Sequence, residues 1–343
     1  MTEKSLLGLM LGDCTGIGPE QCARVLSDGR LADAANLVVI GDARVLEMGA
    51  RDANVALDIR RIERPEDAVK VKDGVAVVDL GNIDPSRIPR GQISAESGRL
   101  TGETLKHMIE LALAGRIDGI VFAPLNKAAL HAGGWKYNDE HIMFARLTNH
   151  QGYHGEMNVL DNKWMSRATS HVSLREALDQ LTPERIDEAL TLAHETMKGA
   201  GFANPRIAVA ALNPHGGENG LFGREEIEVI APAVARGAAR GIACKGPFPA
   251  DTVFIKGFGD EFDGVLTMYH DQGQIATKLK GFNRGVTVSG GLKTVFTTPA
   301  HGTAFDIVGK GVATTGAFEN AVRLGARLAA ARKSERQGQP THA

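Results

Sequence analysis

Three of the eleven histidines lie in polar strings of the kind that bind divalent metals. His171 lies in Thr-Ser-His-Val, His215 in Asn-Pro-His-Gly-Gly and His270 in Tyr-His-Asp-Gln-Gly. Neutral imidazole is the commonest protein ligand of zinc and related ions, and three protein ligands with an open position are typical of catalytic sites. A single histidine of this kind is more often an ordinary polar residue. The metal site is therefore a hypothesis that depends on the three strings converging in the fold.

Buried strands are predicted directly before two of these histidines. The apolar runs 206–212 and 262–269 precede His215 and His270, so each imidazole would lie at the carboxyl end of a strand, where open α/β sheets bind ligands. Short apolar runs alternate with helical periods along the chain, which is typical of parallel α/β units. The other predicted strands are 5–11, 37–40, 75–78 and 119–123. Helices are clearest at 105–114 and 183–198, and further helices are predicted at 19–26 and 316–333.

The composition excludes several classes of protein. A chain of 343 residues with 43% hydrophobic content can form two domains, or one body with a cleft. A net charge of −2 without a basic patch argues against nucleic-acid binding. Three cysteines without C-x-x-C spacing argue against a disulfide framework and fit a reducing compartment. With neither a signal peptide nor a membrane-length apolar stretch, we expect a cytoplasmic protein without membrane contact.

A glycine-rich loop leads into the first predicted helix. The string Gly-Asp-Cys-Thr-Gly-Ile-Gly-Pro-Glu at 12–20 would expose backbone N–H groups beside a helix amino terminus, which suits an anion. It matches neither the G-x-G-x-x-G fingerprint nor a P-loop, and a tight turn without a ligand is the alternative. Gly12, Asp13 and Gly16 are therefore candidates for cofactor binding.

Further polar residues cluster in loops of the second half of the chain. Asn213 opens a long glycine-rich loop, Asp251 follows Pro-Phe-Pro-Ala, and Lys278 follows the His270 string. His301 and Gly302 begin a run of small residues against which a flat ring could lie. Because loops of this kind are usually functional, we predict cofactor contacts for Asn213, His301 and Gly302, and Asp251 and Lys278 add a carboxylate and an ammonium to the same region.

Together these strings resemble the 4-hydroxythreonine-4-phosphate dehydrogenase family of vitamin B6 biosynthesis. The resemblance extends over nearly the whole chain, and the Tyr-His-Asp-Gln-Gly string is highly specific. The resembling segments are 12–20, Ala-Pro-Leu-Asn-Lys at 123–127, 170–171, 213–215, 246–252, 269–273 and 301–304.

The resemblance implies both a fold and a chemistry. The fold would be similar to isocitrate and isopropylmalate dehydrogenases: two α/β/α domains in a homodimer, with the active-site cleft at the subunit interface. His171, His215 and His270 would bind a divalent metal, one of them supplied across the interface, and Lys278 would contact substrate. NAD or NADP would be held without the ordinary Rossmann motif.

The chain departs from the family pattern at substrate-contacting positions. Glu140 and His141 stand where the family has a His-Thr-Glu string, Thr287 replaces a substrate-binding Asn, and Phe296 replaces an Arg. The loss of a bidentate guanidinium removes the best partner for a phosphate or carboxylate, which leaves Lys293 as a substitute cation. We place Glu140, His141, Thr287 and Phe296 in the predicted substrate pocket.

We predict that residues 1–130 and 301–343 form a first α/β domain and that residues 131–300 form a second, which carries the metal ligands. The expected activity is metal-dependent, NAD(P)-linked oxidation, with decarboxylation, of a hydroxy acid such as 4-phosphohydroxythreonine or a related phosphorylated sugar acid. Lys278 and Asp251 are candidates for proton transfer and carboxylate recognition, and Asp271 for orienting His270. Zinc, manganese, cobalt, nickel and magnesium all stay open as the metal.

Two other functions compete with this one. The Gly290-Gly291 pair followed by a basic residue is similar to family members that oxidise cis-dihydrodiol carboxylates such as the terephthalate dihydrodiol. A three-histidine site with an open position also activates water, so a metal-dependent hydrolase is the alternative from another class. Nicotinamide binding distinguishes the hydrolase from both dehydrogenases. The predicted partners are a small-molecule substrate and a second copy of the chain.

Overall fold

The computed structural model describes residues 4–281 and 283–338. Contacts divide the chain into two compact units, which take their described residues from Met1–His150 with Leu292–Ala343 and from Gln151–Gly291. Residues 131–150 and 292–300, predicted for the second domain, belong to the first unit, where Phe144 stacks on Phe296. Residues 1–3 and 339–343 of the predicted first domain lie outside the described residues.

The sheet of the first unit is parallel. Its strand order is β3-β4-β2-β1-β5-β12, and every pairing within it is parallel. The strands are β1 (Leu6–Met10), β2 (Asn36–Gly41), β3 (Ile59–Arg61), β4 (Val75–Asp79), β5 (Gly119–Phe122) and β12 (Val295–Pro299). The helices are α1 (Gly18–Ser27), α2 (Ala43–Ala53), α3 (Ala95–Leu113), α4 (Lys127–Ala132), α5 (Glu140–Leu147) and α11 (Gly316–Gly338). β1 and β5 are buried at every residue, as expected of continuous apolar runs in a parallel sheet.

The sheet of the second unit is mixed. Its order is β11-β6-β7-β10-β8-β9, in which β6 runs antiparallel to β7 and β11. The strands are β6 (Gly155–Leu160), β7 (Lys163–Arg167), β8 (Ile207–Ala210), β9 (Cys244–Phe248), β10 (Gly264–Thr267) and β11 (Val286–Gly290). The helices are α6 (Leu174–Gln180), α7 (Pro183–Gly199), α8 (Ala231–Ala239), α9 (Ala250–Phe258) and α10 (His270–Gly281).

The prediction of parallel α/β units throughout the chain is wrong for β6. Asp161 and Asn162 adopt φ values of 49° and 66° between β6 and β7. Two consecutive residues with positive φ form the tight hairpin turn that matches the twist of antiparallel strands. The predicted α/β class itself is confirmed, and the likeness to isocitrate dehydrogenases stays a prediction.

Local signals explain where the helices begin. The Thr182 hydroxyl accepts from the backbone N–H of Arg185, and Pro183 occupies the first turn of α7, as its sequence predicts.

In the second unit, β7, β10 and β8 are adjacent and parallel, so their carboxyl ends lie at one edge of the sheet. Among the described residues, no helix is long and apolar enough to span a bilayer.

Candidate functional site

Two of the three candidate ligands lie side by side in the second unit. The ring centroids of His171 and His270 are 5.3 Å apart, and the rings are tilted by 43°. The last residues of the two preceding strands, Arg167 and Thr267, pair in register. Strand register therefore brings together two histidines that are far apart in sequence.

The backbone keeps this register beyond the ends of the strands. The N–H of Ala168 donates to the carbonyl of Thr267 at 2.8 Å, and the Thr169 hydroxyl donates to the carbonyl of Met268 at 2.8 Å. His171 then adopts a φ of 45°, a left-handed conformation that is uncommon outside glycine. His270 begins α10. Both imidazoles are thus held by defined backbone rather than by a long loop.

A carboxylate lies beside each imidazole. Nδ1 of His270 is 2.6 Å from Oδ1 of Asp271, and Nε2 of His171 is 3.7 Å from Oε2 of Glu156. Because an ionised carboxylate only accepts, Nδ1 of His270 is the protonated nitrogen in that pair. Nε2 of His270 is then the nitrogen suited to a metal, in the carboxylate–histidine arrangement common at metal sites.

A surface cleft surrounds the two imidazoles. Its volume is roughly 200 Å³. Its lining residues are Thr169, Ser170, His171, Val172, Leu174, Ala177, Tyr269, His270 and Asp271. The cleft therefore combines imidazole and carboxylate groups with apolar side chains, as small-molecule sites do.

His215 lies at the same sheet edge in a strained loop. It follows β8 and has a φ of 52°, and the left-handed conformation continues through Asn219. Its exposed ring lies 6.4 Å from the ring of Phe222. Within residues 4–281 and 283–338, no three His, Cys, Asp or Glu side chains of this single chain are grouped as a metal site. The three-histidine set stays a prediction.

The Asn213 side chain is engaged with neighbouring carboxylates. Its Nδ2 donates to Glu225 at 2.7 Å and to the buried Glu226 at 2.9 Å. Burial raises the pKa of Glu226, but hydrogen bonds from the Asn213 side chain and from the backbone N–H groups of Asn213 and Leu212 outweigh burial and lower the pKa. Asn213 therefore fixes the start of the His215 loop, and its predicted cofactor contact stays untested.

The glycine-rich loop of the first unit differs from its predicted form. Residues 11–20 are all buried, so the prediction of exposed backbone N–H groups is wrong. The N–H of Thr15 donates to Asp13 Oδ1, that of Gly16 to the Asp13 carbonyl, and that of Ile17 to Thr303. Asp13 Oδ1 also accepts from Ser97 Oγ at 2.5 Å.

Glycine is required in this loop by close packing. A Cβ at Gly12, where φ is +75°, would lie 2.6 Å from the carbonyl oxygen of Pro124, and one at Gly16 would lie 2.8 Å from Thr303. Burial is the main cause that raises the pKa of the Cys14 thiol to about 11, so this thiol is protonated at neutral pH. In this structure Gly12, Asp13 and Gly16 maintain a tight turn.

His301 is held as a neutral imidazole in the same unit. Its Nε2 lies 3.2 Å from Nε2 of Gln21, which donates, and its Nδ1 lies 3.1 Å from the Gly302 carbonyl. Burial lowers the pKa of His301, against the opposing effect of the Gly302 carbonyl. Gly302 is exposed, and a Cβ there would meet nothing within 4 Å. Among the residues predicted to contact the cofactor, Gly302 therefore has a backbone that a ligand could approach.

Two of the predicted substrate residues lie in the interior of the first unit. Phe296 has no exposed surface and stacks on Phe144 at 4.2 Å, and His141 is 8% exposed with its ring 6.2 Å from that of Phe144. The substrate prediction for Phe296 is therefore wrong, because β12 directs this side chain into the core. His141 is likewise largely buried in this unit, and its predicted contact with substrate stays a prediction. Glu140 pairs with Lys127 at 3.1 Å.

The remaining predicted residues lie in the second unit. Thr287 on β11 accepts a hydrogen bond from Asn158 at 3.0 Å. Lys278 is exposed on α10, and Asp251 is exposed in the first turn of α9. Their catalytic roles stay predictions.

A largely buried polar cluster lies beside His171, and none of the sequence motifs indicates it. It consists of Arg167, Glu156, Asn158, Gln274 and Thr287, and we call it the Arg167 cluster. Glu156 and Asn158 alternate with Met157 and Val159, the period of two that indicates a strand. That alternation could have revealed the strand, but it normally indicates a solvated polar face, so the burial of these side chains is visible only in the structure.

Comparison with known proteins identifies relatives along nearly the whole chain. Residues 33–325 match the family model described as pyridoxal phosphate biosynthetic protein PdxA. The chain is 47% identical over 334 residues to a candidate 4-hydroxythreonine-4-phosphate dehydrogenase of Pseudomonas aeruginosa, covering 94% of this chain and 96% of that protein. It is 40% identical over 328 residues to a D-threonate 4-phosphate dehydrogenase of Cupriavidus necator, covering 95% and 98%.

Solved structures show the same relationship. A 4-hydroxythreonine-4-phosphate dehydrogenase from Klebsiella pneumoniae superimposes with a TM-score of 0.82 at 36% identity, covering 95% of this chain and 99% of that one. A terephthalate 1,2-cis-dihydrodiol dehydrogenase from Burkholderia xenovorans gives a TM-score of 0.66 at 26% identity, covering 94% and 98%. The chain is thus more similar to the 4-hydroxythreonine-4-phosphate dehydrogenase from Klebsiella pneumoniae than to the dihydrodiol dehydrogenase.

Proposed function

Because this chain belongs to the PdxA family of dehydrogenases, we propose that it is a metal-dependent, NAD(P)-linked enzyme that oxidises and decarboxylates a phosphorylated hydroxy acid. The substrate class we propose is a four-carbon β-hydroxy acid phosphorylated at the far end, 4-phosphohydroxythreonine or D-threonate 4-phosphate. The names of the relatives from Pseudomonas aeruginosa and Cupriavidus necator support this class. The pair of imidazoles His171 and His270 carries the proposal.

The residues of the cleft fit a divalent metal. Two imidazoles face each other at 5.3 Å between ring centroids, and Asp271 fixes one of them in the tautomer that leaves Nε2 for the ion. We propose that His171, His215 and His270 hold the ion, one of them from a partner copy. When bound, the ion supplies positive charge that lowers the pKa of the substrate hydroxyl and stabilises negative charge on that oxygen.

The chain's own groups supply orientation and proton transfer. A nicotinamide held at His301 and Gly302 would supply the hydride acceptor for the carbinol carbon, and the substrate hydroxyl gives its proton to a base. The bond to the carboxylate carbon then breaks, CO2 leaves, and the enolate carbon takes up a proton. Lys278 and Asp251 are proposed for proton transfer and for recognition of the substrate carboxylate. Lys278 follows His270 by two turns of α10, which supports a position on the same helix face.

We place the nicotinamide cofactor against His301 and Gly302. The exposed Gly302 lets a ring approach the backbone, and the neutral imidazole of His301, whose two nitrogens bond to Gln21 and to the Gly302 carbonyl, holds this backbone without adding charge. The predicted contacts of Gly12, Asp13, Gly16 and Asn213 receive no support from their hydrogen bonds, which are internal to the protein.

A homodimer is the assembly that we propose. Exposed apolar side chains gather on α10 and around the cleft: Ile275 is 60% exposed, Leu279 84% and Leu174 58%. Ile275 and Leu279 lie one turn apart and form one helix face. Exposed apolar surface of this kind marks protein–protein contacts, and it lies on the helix that begins with a proposed metal ligand.

The decisive experiment measures reduction of NAD+ and NADP+ with four substrates. These are 4-phosphohydroxythreonine, D-threonate 4-phosphate, D-threonate and an aromatic cis-dihydrodiol carboxylate, each tested with added metal and with chelator. We expect metal-dependent turnover of at least one phosphorylated acid and CO2 release in equal amount. Turnover of the dihydrodiol alone would show that the substrate is a cis-dihydrodiol carboxylate and not a phosphorylated acid. Failure to bind NADH and NADPH in the presence of metal would favour a hydrolase.

A further inference from the structure

Arg167 is a buried cation next to the proposed metal site. It is the last residue of β7, and its side chain is only 4% exposed. A guanidinium in the interior loses its hydration, which is unfavourable unless charges and hydrogen bonds compensate it. The groups that contact the guanidinium therefore indicate the structural role of Arg167.

The partners of Arg167 come from two other elements. On β6, Nη2 of Arg167 donates to Oδ1 of Asn158, and Oε1 of Glu156 lies 3.7 Å from the guanidinium. On α10, the Gln274 amide lies against both groups: in one orientation its oxygen accepts from Nη1 at 3.3 Å and from Nη2 at 3.1 Å, and in the other its Nε2 donates to Oδ1 of Asn158 at 2.7 Å. Asn158 Nδ2 donates to Thr287 Oγ1 on β11 at 3.0 Å, which adds a further strand. One side chain thus connects β6, β7 and α10.

These connections lead to both imidazoles. Glu156 uses its two oxygens on different neighbours, because Oε1 lies toward Arg167 and Oε2 lies 3.7 Å from Nε2 of His171. Gln274 follows His270 by one turn of α10, so its contact with Arg167 fixes the rotation of the helix that begins with His270. The Arg167 cluster is therefore connected to both imidazoles, to His171 through Glu156 and to His270 through α10.

We propose that Arg167 is a positioning residue that holds His171 and His270 at the separation a divalent ion requires. It acts on His171 through Glu156 and on His270 through Gln274 and α10. The proposal rests on the proposed function, since it concerns the same metal site. It adds a second determinant of metal affinity besides the histidines themselves, a buried guanidinium that fixes the spacing of two ligands.

The variants follow from the contacts. Arg167→Met keeps the volume but removes every donor, and leaves Glu156 without its buried cation. Arg167→Lys keeps the charge but cannot span Asn158 and Gln274 with a planar fork. Glu156→Gln keeps the shape of the side chain and removes the charge that faces His171, so it tests the same link if Arg167→Met does not fold. Arg206→Met is the control, since it breaks an ion pair to Asp263 before β8.

The test uses the full-length protein and Co2+ alone. Affinity is measured by competition with a chromogenic chelator, the cobalt absorption spectrum is recorded at saturation, and thermal unfolding of the metal-free proteins is followed in parallel. We expect affinity to fall about 10- to 100-fold in Arg167→Met and in Glu156→Gln, and less in Arg167→Lys, with an altered spectrum at saturation. Arg206→Met should bind Co2+ as the wild type does.

Each result has a defined meaning. Wild-type affinity and spectrum in both Arg167→Met and Glu156→Gln would overturn this inference and leave the proposed function intact. A loss of affinity shared by Arg206→Met would also overturn it, because the effect would then follow general destabilisation. Absence of Co2+ binding by the wild-type protein would overturn the proposed function and this inference with it.

Discussion

Replacement of Phe296 distinguishes a core position from a pocket position. The family pattern has an arginine there, so the sequence alone suggests that Phe296→Arg would improve a phosphorylated substrate. In the structure Phe296 is fully buried in the core of the first unit, its ring parallel to that of Phe144 at a centroid distance of 4.2 Å. We therefore expect the substitution to unfold the first unit.

The magnitude follows from burial and stacking. Truncation of a buried Phe to Ala costs about 3–5 kcal/mol, and an aromatic pair contributes about 0.5–1.5 kcal/mol beyond its area. Phe296→Leu keeps most of the volume, so about 1–2 kcal/mol is expected. Phe296→Arg also buries an unpaired charge, which adds several kcal/mol and approaches the whole stability of a domain, about 5–15 kcal/mol.

The two tryptophans allow this to be measured in the first unit alone. Trp135 packs against the core cluster that contains Phe296, whereas Trp164 is buried in the second unit. In a Trp164→Phe background, urea unfolding followed by Trp135 fluorescence should show a midpoint about 0.5–1 M lower for Phe296→Leu, taking an m-value of about 2 kcal/mol/M. Phe296→Arg should show no folded baseline. A folded Phe296→Arg protein with increased kcat/KM for a phosphorylated acid would refute the assignment to the core.

Four further predictions concern the site and its surroundings. Asp271→Ala should weaken metal binding about tenfold by chelator competition, at the low end of the usual range because Asp271 is 73% exposed; Asp260→Asn is the control, and equal affinities would contradict the orienting role. His270→Ala should abolish metal-dependent turnover while circular dichroism stays unchanged, and full activity in chelator would exclude His270 as a ligand. Ile275→Asp with Leu279→Asp should shift the protein to monomer in sedimentation velocity, whereas a monomeric wild type would exclude the dimer. Burial lowers the pKa of His301 and His194 in the folded protein, so the unfolded chain binds more protons below pH 6.5. The free energy of unfolding should therefore fall as the pH drops below that value. In urea titrations His301→Gln should reduce this decline, and an unchanged dependence on pH would contradict the contribution of His301.

Local pattern determined much of the fold. Continuous apolar runs predict β1, β2, β4, β5, β8 and β10 because both faces of a central parallel strand are buried. Thr182 and Pro183 predict the start of α7 because a cap and a first-turn proline act within a few residues. The specific Tyr-His-Asp-Gln-Gly string also identified the family, since short motifs need no knowledge of long-range contacts.

Tertiary structure decided which side chains meet. Register between β7 and β10 places His171 beside His270, and no spacing within the sequence contains that register. Strand pairing also directs the Phe296 side chain into the core, although the family pattern has an arginine at this position. The loop at 12–18 has the composition of an anion site, yet its amides bond to Asp13 and Thr303. Sequence specifies local conformation and composition, whereas the identity of a neighbour depends on strand pairing between segments distant along the chain.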